Sequence, residues 1–166
     1  DTALTSAWVR PSEWPTIDTL IGPSDDKIVA LYKVPTATSS TDDVPVAFLC
    51  TTSTGTYTVD WGDGTSDTYA SNTKAQHLYE PTNGTLTSTT YGYKCGIITV
   101  TANTGTLATI NFGQSYGTDT ALSRYGYGWL DIDMRCPAMT ALSNLANITN
   151  LTRFRLRAGN ITNFQN

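Results

Sequence analysis

Charge is the first thing this chain is short of. Only 14% of its 166 residues are Asp, Glu, Lys or Arg, and the formal net charge is −4. The basic footprint of a nucleic-acid binder is therefore missing. Histidine is almost absent: His77 is the sole imidazole, and no motif around it supplies the nucleophile and carboxylate of a triad. Cysteine is scarce, with Cys50, Cys95 and Cys136 only and no Cys-x-x-Cys pair, which argues against a structural zinc site. An odd number cannot pair fully within one chain. Cys50 and Cys95 both fall on stretches that read as strands and are candidates for a disulfide; the odd count favours buried thiols acting as small apolar residues. No apolar run approaches the length that spans a bilayer. Gly92, Gly113 and Gly126-Tyr127-Gly128 lack the spacing of a phosphate-cradling loop. The chain opens at Asp1 without an initiator Met or a signal-peptide pattern, which reads as a processed or trimmed product.

What is present is Thr, Ser, Asn, Gly and β-branched residues, a composition for β-structure with polar faces at an extracellular or virion surface. The clearest stretch is Tyr57-Thr-Val-Asp-Trp-Gly-Asp-Gly-Thr65. Tyr57, Val59 and Trp61 alternate with Thr58 and Asp60, so one face of a strand is apolar and the other polar. Gly62-Asp63-Gly64 then makes a tight turn, because Gly tolerates positive φ and Asp can accept from neighbouring amides. Thr65 to Tyr69 runs back as the partner strand. Earlier strands are expected over residues 27–34 and 44–51. Residues 70–90 read as polar connection, with turn signals at Pro81 and Asn83-Gly84. Tyr91 to Thr101 closes the sandwich.

The Trp-Gly-Asp-Gly-Thr strand end, then His77-Leu78-Tyr79, then Ile98-Thr99-Val100-Thr101, resembles a PKD domain over roughly 44–103. That resemblance implies an immunoglobulin-like β-sandwich of the kind found in surface, secreted and virion proteins. It also makes His77 a turn residue at a strand start. The opening Trp8-Val-Arg-Pro-Ser-Glu-Trp14, taken with the hairpin, is similar to structural proteins of tailed bacteriophages.

From Leu107 the pattern changes. Leu107-Ala-Thr-Ile-Asn-Phe112, Trp129-Leu-Asp-Ile-Asp-Met134 and Leu151-Thr-Arg-Phe-Arg-Leu156 recur at an offset of 22, and Leu142 and Phe164 share that offset. This resembles leucine-rich repeats, in which each unit adds one short parallel strand to a stack. In such a stack Asp131 lies beside Arg153 and Asp133 beside Arg155, each pair contributing a few tenths to about 1 kcal/mol. Thr109 and Asn111 are expected on the same exposed face. That face either binds a partner or serves only as an ion-pair ladder. The chain ends at Asn166 with no capping sequence, so either the natural protein continues or the open end stacks on another subunit.

The expectation is a mainly β chain with three parts: residues 1–43, an N-terminal arm and lead-in strand; 44–103, a PKD-like sandwich; 104–166, leucine-rich-repeat-like units. The expected role is a non-enzymatic structural component of a bacteriophage particle, in its decoration, neck or tail, assembling through the arm and the open end. The alternative is a secreted glycosylated fibril subunit or cell-surface adhesin that binds carbohydrate or protein. Candidate interface residues are Trp8, Trp14, Asp131, Asp133, Arg153 and Arg155. Sequons stand at Asn83, Asn147, Asn150 and Asn160. No cofactor is expected. Asp60, Asp63 and Asp67 are close enough in sequence to consider for Ca²⁺, but their spacing is not that of an EF-hand and Asp63 is needed in the turn. Partners are other protein subunits, in a homo-oligomer or lattice.

Overall fold

A computed structural model describes residues 7–36, 44–119 and 126–165. The protein is mainly β, with twelve strands and no α-helix among the described residues. Two sheets face each other. One has the order β11-β9-β1-β7-β3-β4, with the two-residue β6 (Thr87–Ser88) also on β7 (Tyr93–Ala102); the other has the order β12-β10-β8-β2-β5.

β1 (Lys27–Pro35) sits in the middle of the first sheet, antiparallel to β7 on one side and to β9 (Trp129–Cys136) on the other. Its near-continuous apolar run follows from that position, because both of its faces are covered. Ile28, Ala30, Tyr32 and Val34 join the core between the sheets, while Val29 and Leu31 point outward under the N-terminal arm. The hairpin of β3 (Thr56–Asp60) and β4 (Ser66–Ala70) forms one end of this sheet. In the second sheet β2 (Val44–Thr52) lies between β5 (Thr73–Tyr79) and β8 (Leu107–Asn111). Phe48, Trp61, Phe112 and Trp129 meet edge to face at the centre of the core.

The sequence reads as polar connection over residues 70–90, with His77 as a turn residue. Instead β5 is a full strand, and His77 lies inside it, opposite Val46. The physical reason is its alternation: Ala75 and Tyr79 are buried, while Lys74 and Gln76 face the loop at 115–117.

The later part of the chain winds between the two sheets. β9 and β11 (Arg153–Gly159) are parallel neighbours in the first sheet; β10 (Ala141–Ser143) and β12 (Asn163–Gln165) are parallel neighbours in the second. Both pairs show an offset of 22, with Asp131 opposite Arg153, Asp133 opposite Arg155 and Leu142 opposite Phe164; past Leu156 the β11 register shifts, placing Ala158 opposite Arg135. A coil therefore contributes two strands, one to each sheet, with a 3-10 turn at Leu145–Asn147 in the return. The step from Leu107 to Trp129 does not belong to this repeat. β8 lies in the opposite sheet from β9 and pairs with β10, with Ile110 opposite Leu142. The apolar spacing matched because β8 and β9 both pack inward, not because they are neighbours. Thr109 and Asn111 accordingly lie on the second sheet, away from Asp131 and Asp133.

Candidate interaction surfaces

The N-terminal arm covers the outer face of the first sheet. Trp14 is buried against Leu31, Cys95 and Leu130, and its indole Nε1 donates to the Tyr93 hydroxyl at 2.8 Å. Ile17 and Ile21 pack on Val29. The Glu13 carboxylate accepts from the Thr90 amide and hydroxyl, both at 2.5 Å. Of the two tryptophans, Trp14 thus serves this chain's own fold, and Trp8 remains 37% exposed.

Trp8 lies over the charge cluster that the 22-residue register creates. Arg153 holds Asp131 in a two-pronged contact, Nε to Oδ1 at 2.8 Å and Nη2 to Oδ2 at 2.7 Å. Arg10 of the arm reaches the same carboxylate at 3.1 Å, and Asp18 at 2.8 Å. Asp133 accepts from Arg155 and from Arg157, whose Nε lies 2.9 Å away. Asp18 bridges Arg153 and Arg155. The Trp8 ring is flanked by the guanidinium carbons of Arg153 at 4.3 Å and Arg10 at 5.4 Å. Burial works to raise the Asp18 carboxyl, yet hydrogen bonds from Arg153 and Arg10 prevail and bring it from 3.8 down to about 2.

The expectation of one exposed polar face is corrected here. Asp131 and Asp133 are both 0% exposed, because the arm and the arginines close over them. What the cluster shows to solvent is Trp8, the Asp18 carboxylate and parts of its arginines, Arg155 and Arg157 most. It contains four guanidiniums (Arg10, Arg153, Arg155, Arg157) and three carboxylates (Asp18, Asp131, Asp133), and Arg155 Nε is buried with no hydrogen-bond partner among the described residues.

Beside this cluster the two sheets end together. Among the described residues β11 pairs only with β9, and β12 only with β10, so each leaves one edge of backbone donors and acceptors free. Leu145, Leu151, Phe154, Leu156 and Ile161 line this end and are only partly buried.

The opposite end is finished differently. Asp63 anchors the Gly62-Asp63-Gly64 turn by accepting from the Thr65 amide at 3.0 Å and hydroxyl at 2.6 Å. Its other oxygen meets His77 Nε2 at 2.8 Å, and the His77 ring stacks on Trp61 at 4.9 Å. Burial raises the Asp63 carboxyl, but the Thr65 and His77 contacts outweigh it and the net direction is down. Trp61 Nε1 donates to Asp67, and Asp60 accepts from the Gly62 amide. The three aspartates are thus engaged separately, and among the described residues no three acid, Cys or His groups converge as metal ligands. Tyr57 stacks on Tyr69, whose hydroxyl donates to the Gln76 carbonyl and ties β4 to β5.

The three cysteines are free and buried. Cys95 packs under the arm on the outer face of the first sheet, whereas Cys50 and Cys136 belong to the core between the sheets, so the sheet itself separates Cys50 from Cys95. Burial pushes the Cys95 thiol up to about 11 and raises Cys50 and Cys136 as well. Of the sequons, Asn83 spends its amide on the Asp63 carbonyl and Asn150 on the Tyr127 carbonyl. Asn160 is exposed beyond β11, and Asn147 closes the 3-10 turn. A shallow cavity of about 230 Å³ opens between Tyr32, Pro35, Pro45 and the half-exposed Tyr127.

Sequence reasoning found the Asp/Arg pairing but missed Arg157, Arg10 and Asp18 as members of it. The signal for Arg157 was present: Arg153, Arg155 and Arg157 alternate along one strand face. Nothing local in the sequence ties Arg10 or Asp18 to residues more than a hundred positions away. No family model matches the chain, nor does any curated protein or solved structure.

Proposed function

We propose that this chain is a non-enzymatic structural subunit that assembles through its open β11/β12 end. The observation that carries this reading is the coincidence, at one end, of two free strand edges with five partly buried apolar side chains. Unpaired edges and an uncovered apolar rim both favour addition of further β-structure. The likeness of the opening and the hairpin to tailed-phage structural proteins and to PKD domains supports a place in a virion, with a PKD-like sandwich leading into leucine-rich-repeat-like coils. The engagement of His77 by Asp63 and Trp61, and the burial of all three thiols, leave these groups in structural roles and support a non-catalytic reading.

Electron microscopy and mass analysis of the native material test this. Ordered filaments or a particle-bound lattice are expected. A free monomer at every concentration overturns the assembly reading. Glycan mass on Asn160, which is exposed and lies outside a regular strand, points to a secreted fibril instead of a virion.

A second reading is an adhesin. It is favoured by the cavity beside Tyr127, where an exposed aromatic ring borders an apolar cleft suited to the flat face of a sugar. A glycan-binding screen, repeated with Tyr127→Ala, checks it. Binding that disappears in the variant supports the adhesin, and no binding to any glycan removes it.

A further inference from the structure

Resting on the assembly reading, we propose that the contact is head to tail: the open β11/β12 end of one copy receives the β4/β5 end of a second copy. The two ends differ in finish and in sign. The open end carries four arginines against three aspartates, with one arginine Nε left without a hydrogen-bond partner among the described residues. The opposite end carries Asp60, Asp63, Asp67 and Glu80 against Lys74 and Lys94, and of these Asp60, Asp67 and Glu80 are exposed. The basic end thus has an acidic counterpart on the same molecule.

Symmetry decides against the simpler alternative. A two-fold contact would bring two open ends together, with Arg153, Arg155 and Arg157 of one copy facing the same three residues of the other. Like charges set opposite one another across a strand pair are destabilising. The carboxylates beneath them are already committed within their own copy. The β4/β5 end avoids that repulsion and supplies what the open end lacks. Its outer strands β4 and β5 each have one strand neighbour among the described residues; on β5 the Tyr69 hydroxyl engages the Gln76 amide and carbonyl, so the edge open to backbone pairing is that of β4. The contact joins unlike surfaces, so it does not close after two copies and leads to an open chain of subunits.

Sedimentation of three proteins and one mixture tests the proposal. Leu156→Lys places a charge in the open end; Asp60→Asn combined with Asp67→Asn and Glu80→Lys removes the acidic end while keeping the acceptors for Gly62 and Trp61. Circular dichroism confirms folding, and Ile161→Lys replaces Leu156→Lys if that variant does not fold. The unaltered chain is expected to form a ladder of species that grows with concentration. Each variant alone is expected to stay monomeric, and an equimolar mixture is expected to give a dimer and nothing larger, since one intact end of each kind remains. If the acidic-end variant still dimerises like the unaltered chain and stops at two, the contact is two-fold; head-to-tail pairing is then overturned while assembly stands. If the unaltered chain is itself monomeric throughout, the assembly reading falls and this proposal with it.

Discussion

Gly62 shows how much of the hairpin rests on single residues. Its φ is +75°, and a Cβ there would sit 2.4 Å from the Ile97 carbonyl oxygen. Left-handed backbone costs a side chain roughly 1–2 kcal/mol before any clash is counted. Gly62→Ala is therefore expected to lower stability by at least about 2 kcal/mol, measured as a fall in the urea midpoint. The cysteines make a second residue-scale case. Raised thiols inside the core react slowly, because the thiolate is the nucleophile. All three are expected to resist a thiol-specific reagent in the native protein and to react together on unfolding; rapid native labelling of Cys50 or Cys136 would contradict their burial.

At the scale of elements, the arm and the arginine strand stabilise one another through Asp18 and Asp131. Asp18 has its folded value lowered from 3.8 to about 2, so its contribution is complete above its unfolded value and is lost as the pH falls through about 2. Asp63 shifts in the same direction. Stability followed by tryptophan fluorescence is expected to hold near neutrality and to decline between about pH 4 and 2. Arg153→Ala leaves the buried Asp131 with Arg10 alone and is expected to cost about 2 kcal/mol, less than the ~3–5 kcal/mol of a wholly unpaired buried charge. Trp14→Ala empties a buried site under the arm and is expected to cost about 3 kcal/mol, read from the same denaturation curve. Local signals in the sequence were sufficient for the hairpin, for β1, β2 and β7, and for the 22-residue pairing of β9 with β11. They failed at β5, where polar residues on one face hid the alternation. They also failed at β8, where three apolar positions matched in spacing but belonged to the other sheet. Strand spacing reports which side chains face inward and is silent on which sheet receives them. The covering of Asp131 and Asp133 was out of reach for a related reason: the residues that close over them come from the other end of the chain.

At the scale of the whole molecule, the two ends of the sandwich have opposite character. One is sealed by the Tyr57–Tyr69 and Trp61–His77 stacks and is acidic at its surface; the other is open and basic. Exposed charges are screened within about 10 Å at 0.1 M salt. Assembly through unlike ends is therefore expected to weaken as ionic strength rises, with light scattering falling at fixed protein concentration. An apolar contact alone would strengthen or hold under the same change.

The two-strand coil also sets a rule for how this half of the chain can change length over evolutionary time. Side chains along a strand alternate between faces, so a gain or loss of one residue within a strand turns the inward residues after it outward unless a local irregularity absorbs it, as one does in β11 between Leu156 and Ala158. A gain of 22 residues keeps Met134 and Leu156, Leu142 and Phe164 in their columns and adds one rung to each sheet together. The molecule can grow in whole coils, each lengthening it by roughly one strand spacing of ~4.8 Å. Homologous chains should therefore differ here by multiples of that unit, with smaller insertions confined to the returns between strands.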